Sequence, residues 1–578
     1  MNLQRNGYLV AHSFRSYMIA AILTMAAMNL NSILDGILMG NLLGADALSA
    51  INVFLPVVSC ISAVGILLTQ GCAIRIAKFL GAMKRERANQ VFTVSVTSLL
   101  AVALVISVIA AATNLAVPLT RLLRPAPELV DLVEKYAGVL LPGALFLILQ
   151  NGLSALINVM GRPKIVTITM VIAMCTNILF DIVNIKVFGM GIAGSAYATV
   201  LAALISDIVF IGYILKHSGI KLCRCPEYLK DLGIGVATSL PGLIGTLSAV
   251  ALMFICNHYI MSNQGADGMF VMSIGYSLVS IGSMISNGVG MSYTAIGGML
   301  VGQGDYFGLR ALFRRGLTVA VLSPVVFNIL GLFSGTLAHV FGADTPAKLE
   351  LARHALPLVC TLLFALGIVS STLFMHVVLG HQVLSTVNSV TIIASVWLSF
   401  IAAQSLLPPE KIWYAFPCAS VLGLLILFAD TTLVRKRSGE RLQMLSLIPE
   451  KKQEGKLFDI SVACDMKSKD EAMDALIGFM KENGADELEN SVVHCMDELM
   501  MNVINFSGSP KGSYMDLSVL IWEKAIKATL RNTGQPFDPV RVAEEDKKYG
   551  LKIVSHYCKQ MEYRYSFGQN IVLASWDR

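Results

Sequence analysis

Charged residues are scarce in this sequence of 578 residues. Lys, Arg, Asp and Glu together make up 14% of it, against about 25% in an average soluble globular chain. Hydrophobic residues reach 55%, and the mean hydropathy is +0.67. This composition excludes a protein that is soluble along its whole length, and it predicts that most of the chain lies in lipid.

Three familiar motifs are also missing. No two of the 11 cysteines have the CxxC spacing, so we expect reduced thiols rather than a zinc site. The N-terminal sequence MNLQRNGYLVAHSFRSY lacks the compact apolar core and cleavage site of a secretory signal, so we expect the first span to be retained. The sequence contains no GxxxxGK[ST] loop, which argues against a primary ATP-driven pump.

Long apolar stretches are what the sequence has instead. A helix needs about 20 apolar residues to cross a bilayer, and helix is the expected form because lipid offers no partners to backbone amides. We expect twelve such spans, beginning near residues 17, 51, 91, 136, 165, 191, 237, 270, 316, 355, 383 and 412. The predicted fold class is therefore an all-α polytopic membrane protein.

Basic residues fall on every second connector between these stretches. KFLGAMKRER, GRPK, KHSGIKLCRC, RALFRR and VRKRSGER are basic, whereas NLLGADALSA and NQGADG carry no Lys or Arg. Because Lys and Arg accumulate on the cytoplasmic side, both termini are predicted to be cytoplasmic, in a multi-pass protein of a bacterial-type plasma membrane.

The membrane part contains a repeat of about 220 residues. Three pairs of sites correspond with an offset of 219–221 residues: Asp46 and Asp267, Gly81 and Gly302, and the tripeptides VMG (159–161) and VLG (378–380). Each predicted half, 1–220 and 221–440, has six spans and so enters the bilayer in the same direction. Parallel repeats of this kind predict a cavity between the two halves.

Acidic residues inside the apolar stretches are costly and few. Asn177, Asp181 and Asn184 lie on one face of the fifth span, and Asp35 lies in the middle of the first. An intramembrane Asp costs about 2.5–3.5 kcal/mol on insertion, and such residues usually face a cavity or an ion path. Two carboxylates with amide oxygens suit a monovalent cation or a shared proton, although each Asp could instead bond a neighbouring helix in its protonated form.

The repeat shows that this acidic pair belongs to one half only. Asp35 aligns with Asn257, while Asp181 aligns with Phe400. A polar group needed only for architecture would more often occur in both halves. The asymmetry predicts a chemical task confined to the first half.

Several segments of the membrane part resemble the MATE family of multidrug and toxin extrusion transporters over residues 15–435. They are DGILMGNLLGADALSAINVFLP (35–56), QGCAIRIAKFLGAMKRERANQVF (70–92), NILFD and GMGIAGSAYATV (189–200). The resemblance implies two six-helix bundles that export organic cations or other amphiphiles by alternating access, driven by Na⁺ or H⁺. It also implies a cation site formed by Asp35, Asn177, Asp181 and Thr199.

The charge density rises after the last span, where a linker (441–455) is predicted to lead to a cytosolic domain (456–578). Amphipathic periodicity predicts two helices in residues 470–507, and alternating patterns predict strands in YMDLSVLIWEKAIKATLRNTG and QNIVLASW. The segments DELMMNVINFS, LRNTGQPFDP, YGLKIV and YRYSFGQNIVLASW resemble the GHKL ATP-binding fold, a two-layer α/β sandwich, and most closely the anti-sigma-factor serine kinases.

This second resemblance implies a Mg-ATP site in the tail. Glu498 would be the general base and Asn502 the Mg²⁺ ligand, while Asn532 stands where the family has an adenine-binding Asp. Gly534 and Gly550 would let the backbone approach the nucleotide. No phosphoacceptor-histidine hairpin precedes the domain, which argues against a sensor histidine kinase.

The leading interpretation is thus a secondary-active exporter with an ATP-binding regulatory tail. It needs a small-molecule substrate, the lipid bilayer and Na⁺ or H⁺ as coupling ion, with a cytosolic regulatory protein as a further candidate partner and no nucleic acid. One alternative is a membrane-anchored, anti-sigma-like serine kinase that uses its transporter part as a sensor. The other is a flippase for lipid-linked oligosaccharides, which would not need the Asp pair.

Overall fold

Two compact units make up the protein. The computed structural model describes residues 4–578 except 218–220, 342–344, 440, 451–454, 507, 509–511 and 545–556. The larger, helical unit contains Tyr17–Gln303 and Phe313–Ile448. The smaller unit, called the sheet unit below, combines residues up to Ser16 with Gly304–Leu312 and Pro449–Arg578. The boundaries predicted at 220, 440 and 455 follow chain order, whereas these units follow contacts and draw three separate segments together.

The described membrane part is almost entirely helical. Its first half contains α1 (Tyr8–Leu43), α2 (Ala45–Gly81), α3 (Arg85–Ala112), α4 (Ala116–Leu123), α5 (Val130–Leu140), α6 (Ala144–Val159), α7 (Pro163–Ile182) and α8 (Gly191–His217). Its second half contains α9 (Tyr228–Ser292), α10 (Gly298–Gln303), α11 (Tyr306–Leu332), α12 (Ser334–Val340), α13 (Pro346–Cys360), α14 (Leu362–Leu379), α15 (Gln382–Leu406) and α16 (Ala415–Arg437). Short π-helical turns (Val183–Val187 and Tyr293–Gly297) follow α7 and α9.

Ten of the described helical stretches are long and apolar enough to cross a membrane. An eleventh is the bent pair α5–α6, with an angle of 58°. The stretch from Tyr228 to Gln303 is far longer than one crossing, and Gly265 interrupts it with φ 60° and ψ −149°, outside the helical range. The prediction of a polytopic helical membrane protein is confirmed.

The two halves of the helical unit meet through glycines. A Cβ atom built on Gly81 would lie 2.9 Å from the carbonyl carbon of Met299, and one built on Gly302 would lie 2.8 Å from that of Lys78. Both distances are shorter than real Cβ contacts, so only glycine allows the backbones of α2 and α10 to come this close. These are the two glycines that the repeat relates, and each packs on the other's helix.

The sheet unit is built on one antiparallel sheet. Its strands are β1 (Lys456–Ala463), β2 (Tyr514–Ile521), β3 (Ala525–Thr533), β4 (Gln560–Ser566) and β5 (Gln569–Asp577), in the order β1-β2-β3-β5-β4. Its helices are α17 (Met466–Glu482), α18 (Asp486–Phe506) and α19 (Pro539–Glu544). Apolar residues of the sheet and of α17 and α18 form one core, which includes Leu476, Leu499, Leu517 and Leu530. The strands β2, β3 and β5 and both long helices lie where the sequence predicts them.

Candidate functional site

Helix α7 carries the centre of the candidate site. Asn177 and Asp181 are four residues apart and share one side of the helix, and Asn184 follows in the π-helical turn after it. Their exposed fractions are only 3%, 0% and 6%. The π-helical turn that begins at Val183 places Asn184 next to α8, where its Nδ2 donates to the carbonyl of Gly194 at 3.0 Å.

Asp35 of α1 lies near Asp181. The carboxyl groups are close enough to interact electrostatically, and Ser195 of α8 lies near Asp181 as well. Two ionised carboxylates cannot donate to one another, so a bond between them requires a proton on one. Among the described residues, no donor is bonded to either carboxylate oxygen of Asp181 or to Oδ1 of Asp35.

Helix α8 closes the site on another side. The Nδ2 of Asn177 donates to the hydroxyl of Thr199 at 3.5 Å, and this hydroxyl donates to the carbonyl of Ser195 at 3.2 Å. The Oδ1 of Asn177 and the Oγ of Ser195 have no bonding partner in the described part of the chain. The structure therefore brings together all four residues predicted for the cation site.

The arrangement gathers buried oxygen atoms that lack donors. Burying such an atom without a hydrogen bond costs free energy, and several of them here come from Asp35, Asn177, Asp181 and Ser195. Carboxylate, amide and hydroxyl oxygens are ligands for hard cations, and a carboxylate pair is also a place for a shared proton. The described residues contain no group of three or more His, Cys, Asp or Glu that could hold a metal ion.

Two residues next to the site, Ser195 and Tyr136, were not predicted from the sequence. Ser195 precedes Thr199 by one helical turn, so the same spacing argument that joined Asn177 to Asp181 could have found it. Tyr136 of α5 lies close enough to interact electrostatically with both carboxyl groups, and its ring packs edge-on against Phe54 at 5.7 Å. Nothing in the sequence around Tyr136 sets it apart from other aromatic residues in the spans.

The corresponding place in the second half is not acidic. Asn257 accepts a hydrogen bond from the hydroxyl of Tyr276 at 2.8 Å. Val396 and Phe400 are fully buried, and the ring of Phe400 stacks on Tyr259 at 5.1 Å. The half that lacks the carboxylates fills the same positions with apolar packing.

Another buried carboxyl group lies on α8. Asp207 is 2% exposed, and no partner for its two oxygen atoms occurs among the described residues. Ser206, its neighbour, accepts a hydrogen bond from Gln150 at 2.9 Å. Asp207 is thus as buried as Asp181, but the contacts that join the four site residues do not include it.

The sheet unit contains a small cavity between α18 and the sheet. It is lined by Leu499, Asn502, Val503, Leu530, Asn532, Phe537, Pro539, Asn570 and Val572. Asn570 fixes the segment at the rim of this cavity. Its side chain accepts a hydrogen bond from the amide of Phe537 at 3.0 Å and donates one to the carbonyl of Gln535 at 3.1 Å. Sequence reasoning did not single out Asn570.

Two of the residues predicted to bind nucleotide line this cavity. The Nδ2 of Asn502 donates to a carboxylate oxygen of Glu498, one turn earlier on α18, at 2.9 Å. Asn532 is the second-last residue of β3, and its side-chain nitrogen donates to the carbonyl of Thr533 at 2.9 Å, which leaves its side-chain oxygen as an acceptor. Gly534 follows with φ 147°, whereas Gly550 lies outside the described residues.

Comparisons with known proteins concern the helical part. The sequence model of the MatE family matches residues 20–183 and 241–403. The chain is 22% identical over 461 residues to a probable multidrug resistance protein, YoeA of Bacillus subtilis, covering 74% of this chain and 95% of that protein. It is 25% identical over 330 residues to the multidrug export protein MepA of Staphylococcus aureus, covering 55% of this chain and 69% of MepA.

Solved structures show the same helical fold. An outward-facing multidrug resistance MATE transporter of the MOP superfamily superposes with a TM-score of 0.66 at 22% identity, covering 75% of this chain and 98% of that one. A MATE protein in complex with MaL6 gives 0.65 at 21% identity, with coverages of 73% and 96%. The matched family segments take in α7 with Asn177 and Asp181, and they extend over both halves of the repeat. The chain therefore belongs to the MATE family of multidrug efflux transporters.

Proposed function

We propose that this transporter exports small organic compounds, cationic or amphiphilic, by antiport against Na⁺ or H⁺. Its twelve spans would form two six-helix bundles in a bacterial-type plasma membrane, with both termini in the cytoplasm. The observation that carries the proposal is the buried set of donor-free oxygens on Asp35, Asn177 and Asp181. The named functions of the relatives, multidrug resistance and multidrug export, support the choice of cargo.

The geometry offers a route from ion binding to helix movement. Away from the site, α1 and α7 are joined by the hydroxyls of Thr24, in the middle of α1, and Thr167, near the start of α7, at 2.8 Å. At the site, a proton or cation between Asp35 and Asp181 holds the same two helices together, and its loss leaves two buried carboxylates that repel each other. Loading and release of the ion would therefore change the spacing of α1 and α7 at the site, while the Thr24–Thr167 contact holds them together elsewhere.

Transport into inverted membrane vesicles tests this proposal. Imposed Na⁺ or proton gradients are combined with fluorescent dyes of positive, zero and negative charge. Asp35→Asn and Asp181→Asn should reduce gradient-driven uptake to the level of vesicles without the protein. Asp207→Asn is the matched control, since it removes an equally buried carboxylate outside the site, and it should keep coupled transport. Coupled transport by both site variants at the wild-type rate would refute the proposal.

For the sheet unit we propose Mg-ATP binding in the cavity beside α18, in a GHKL-like fold. Asn502 and Glu498 would face the Mg²⁺ and phosphates, and Asn532 would accept from the adenine amino group. The support is the position of both asparagines in the lining of one cavity. Calorimetric titration of the full chain with Mg-ATP tests the proposal, and the absence of heat at millimolar nucleotide would overturn it.

The same cavity favours one alternative function, a membrane-anchored serine kinase. Glu498 is half-buried beside Asn502, and its carboxylate would accept a proton from a serine hydroxyl. Incubation with radiolabelled ATP and cytosolic extract separates the two functions. Phosphoserine on a cytosolic protein together with no dye transport would favour the kinase.

A further inference from the structure

The sheet of the sheet unit has a second face opposite its apolar core. Successive residues of a strand point to opposite faces. Leu517 and Leu530 belong to the core shared with α17 and α18, so their neighbours Asp516 and Arg531 lie on the other face. Both of these charged residues are nonetheless buried, which means that something covers this face.

A group of five charged residues, called the Arg5 cluster, forms on that face. It consists of Arg5, Asp305, Asp459, Asp516 and Arg531. The guanidinium of Arg5 donates to both oxygens of Asp305, at 2.8 and 2.5 Å, and contacts Asp459 at 3.0 Å and Asp516 at 3.3 Å. Arg531 makes a further ion pair with Asp305. Burial alone would raise the pKa of Asp305, but the two arginines hold it well below its usual range.

A second set of bonds lies at the start of strand β5 and in the turn that precedes it. The Nε2 of Gln569 donates to the hydroxyl of Ser13 at 2.8 Å and to the carbonyl of Leu9 at 3.1 Å. The hydroxyl of Ser13 donates to the carbonyl of Phe567 at 2.8 Å. These bonds fix the first two turns of α1 on the sheet.

The covering segments come from different halves of the repeat. Arg5 precedes α1, the first helix of the first half, and Asp305 precedes α11, which belongs to the second half. Their ion pair joins the two segments, and Arg531 binds that pair to the sheet. A movement that parts the beginnings of these two helices must break bonds of the Arg5 cluster.

The same strands carry the lining of the proposed nucleotide cavity. On β3, Arg531 of the cluster is followed directly by Asn532 of the cavity. On β5, Gln569, which binds α1, is followed by Asn570 of the cavity rim. Because neighbours in a strand share one backbone, a shift of β3 or β5 that is favoured by a ligand in the cavity also moves the anchors on the other face.

We propose that the outer face of this sheet is a coupling surface. It binds the start of α1 and the start of α11, one from each half of the transporter, and the strength of this binding changes when the cavity is occupied. The inference rests on the proposed binding of nucleotide in that cavity. It assigns Arg5, Asp305 and Arg531 to the regulation of transport by nucleotide, as positioning residues rather than as ligands of the nucleotide.

Thermodynamic linkage makes this proposal testable without a known cargo. If bound nucleotide changes the strength with which the sheet binds the two helix starts, loss of that binding must change the affinity for the nucleotide by the same factor. Coupling between sites is commonly about 5–150-fold in a dissociation constant. The full chain in detergent is titrated calorimetrically with Mg-AMP-PNP, as wild type and as Arg5→Gln, Arg531→Gln and Lys527→Gln.

Lys527 supplies the matched control. It lies on β3, on the same face as Arg531, but it is exposed and interacts with the ring of Trp522 at 5.9 Å instead of with the cluster. Arg5→Gln guards against simple misfolding, because Arg5 lies outside the strands and helices of the tail. Amide exchange of α18 verifies that the tail of each variant is folded.

Three results decide the matter. A dissociation constant that changes at least 5-fold in Arg5→Gln and Arg531→Gln, with Lys527→Gln within 2-fold of wild type, supports the coupling surface. Equal constants in all four proteins overturn it and leave nucleotide binding intact. No heat in the wild type overturns nucleotide binding itself, and the coupling with it.

Discussion

Replacement of Gly302 by alanine is expected to separate the two halves of the helical unit at the end where α2 meets α10. The added Cβ would lie 2.8 Å from the carbonyl carbon of Lys78 and 2.9 Å from the amide nitrogen of Ala82, whereas ordinary van der Waals contact begins at 3.4 Å. Backbone atoms cannot rotate away as side chains do. The two helices must therefore move apart by at least 0.6 Å, from 2.8 to 3.4 Å.

The size of the effect follows from the cost of overpacking. Extra volume in a close-packed contact costs about 1–3 kcal/mol, and each 1.4 kcal/mol is a factor of about ten. The equilibrium between joined and separated halves should shift about 5–150-fold towards separation. Gly245→Ala is the control, because a Cβ at this position of α9 meets no atom within 4 Å and alanine favours a helix by about 1 kcal/mol.

Two buried cysteines give the readout. Cys72 is fully buried on α2, next to Gly235 of α9, whereas Cys360 is fully buried in the core around α13. Maleimide labelling followed by peptide mass spectrometry should show Cys72 reacting about 5–150-fold faster in Gly302→Ala, with Cys360 unchanged. An unchanged rate at Cys72, or an equal rise at both cysteines, would contradict the reasoning.

Three further predictions concern the sheet unit. Asp305→Asn should destabilise the sheet unit by about 3–5 kcal/mol, because it breaks a buried ion pair. Unfolding monitored by the fluorescence of Trp522 and Trp576 should then show a lower midpoint. The pKa of Asp305 is lowered in the folded state, so its stabilisation is complete above the ordinary aspartate pKa of about 3.9 and is lost as the pH falls below it. The unfolding midpoint of the wild type should therefore lose this contribution only below about pH 4, and Asp305→Asn should lack that step. Asn570→Ala removes the bonds to Phe537 and Gln535 and should weaken Mg-ATP binding measured by titration, with a stability loss of about 1–3 kcal/mol; an unaltered affinity would argue against its role at the cavity rim.

The fold of the membrane part could be predicted from the sequence because, in lipid, every backbone polar group must be paired within the protein. A long apolar segment such as that of α3 can pair its backbone amides in lipid only by forming a helix. The site residues on α7 were readable for a similar reason, since a carboxylate and two amides at helical spacing stand out among apolar neighbours. Ser195 did not stand out, because hydroxyl groups in helices commonly bond the carbonyl of the preceding turn.

The sheet unit was only partly readable. Strands β2, β3 and β5 have alternating apolar residues that face the core, whereas the edge strand β4 (Gln560–Ser566) is mostly half-exposed and rich in polar residues. Its position depends on pairing with β5, which no local pattern encodes. The Arg5 cluster was wholly hidden, because the partners of Arg5 lie 300–511 residues away along the chain.

The discontinuous make-up of the sheet unit has a consequence for biosynthesis. Arg5 and Asp516 are 511 residues apart, so the ribosome must translate nearly the whole chain before the first residues can meet their partners on the sheet. Until then Arg5 and Asp305 can pair with each other, but their partners on the sheet do not yet exist. The tail is thus the last part of the sheet unit to be made. It can bind the start of α1 and Asp305 only after the helices between them have been translated.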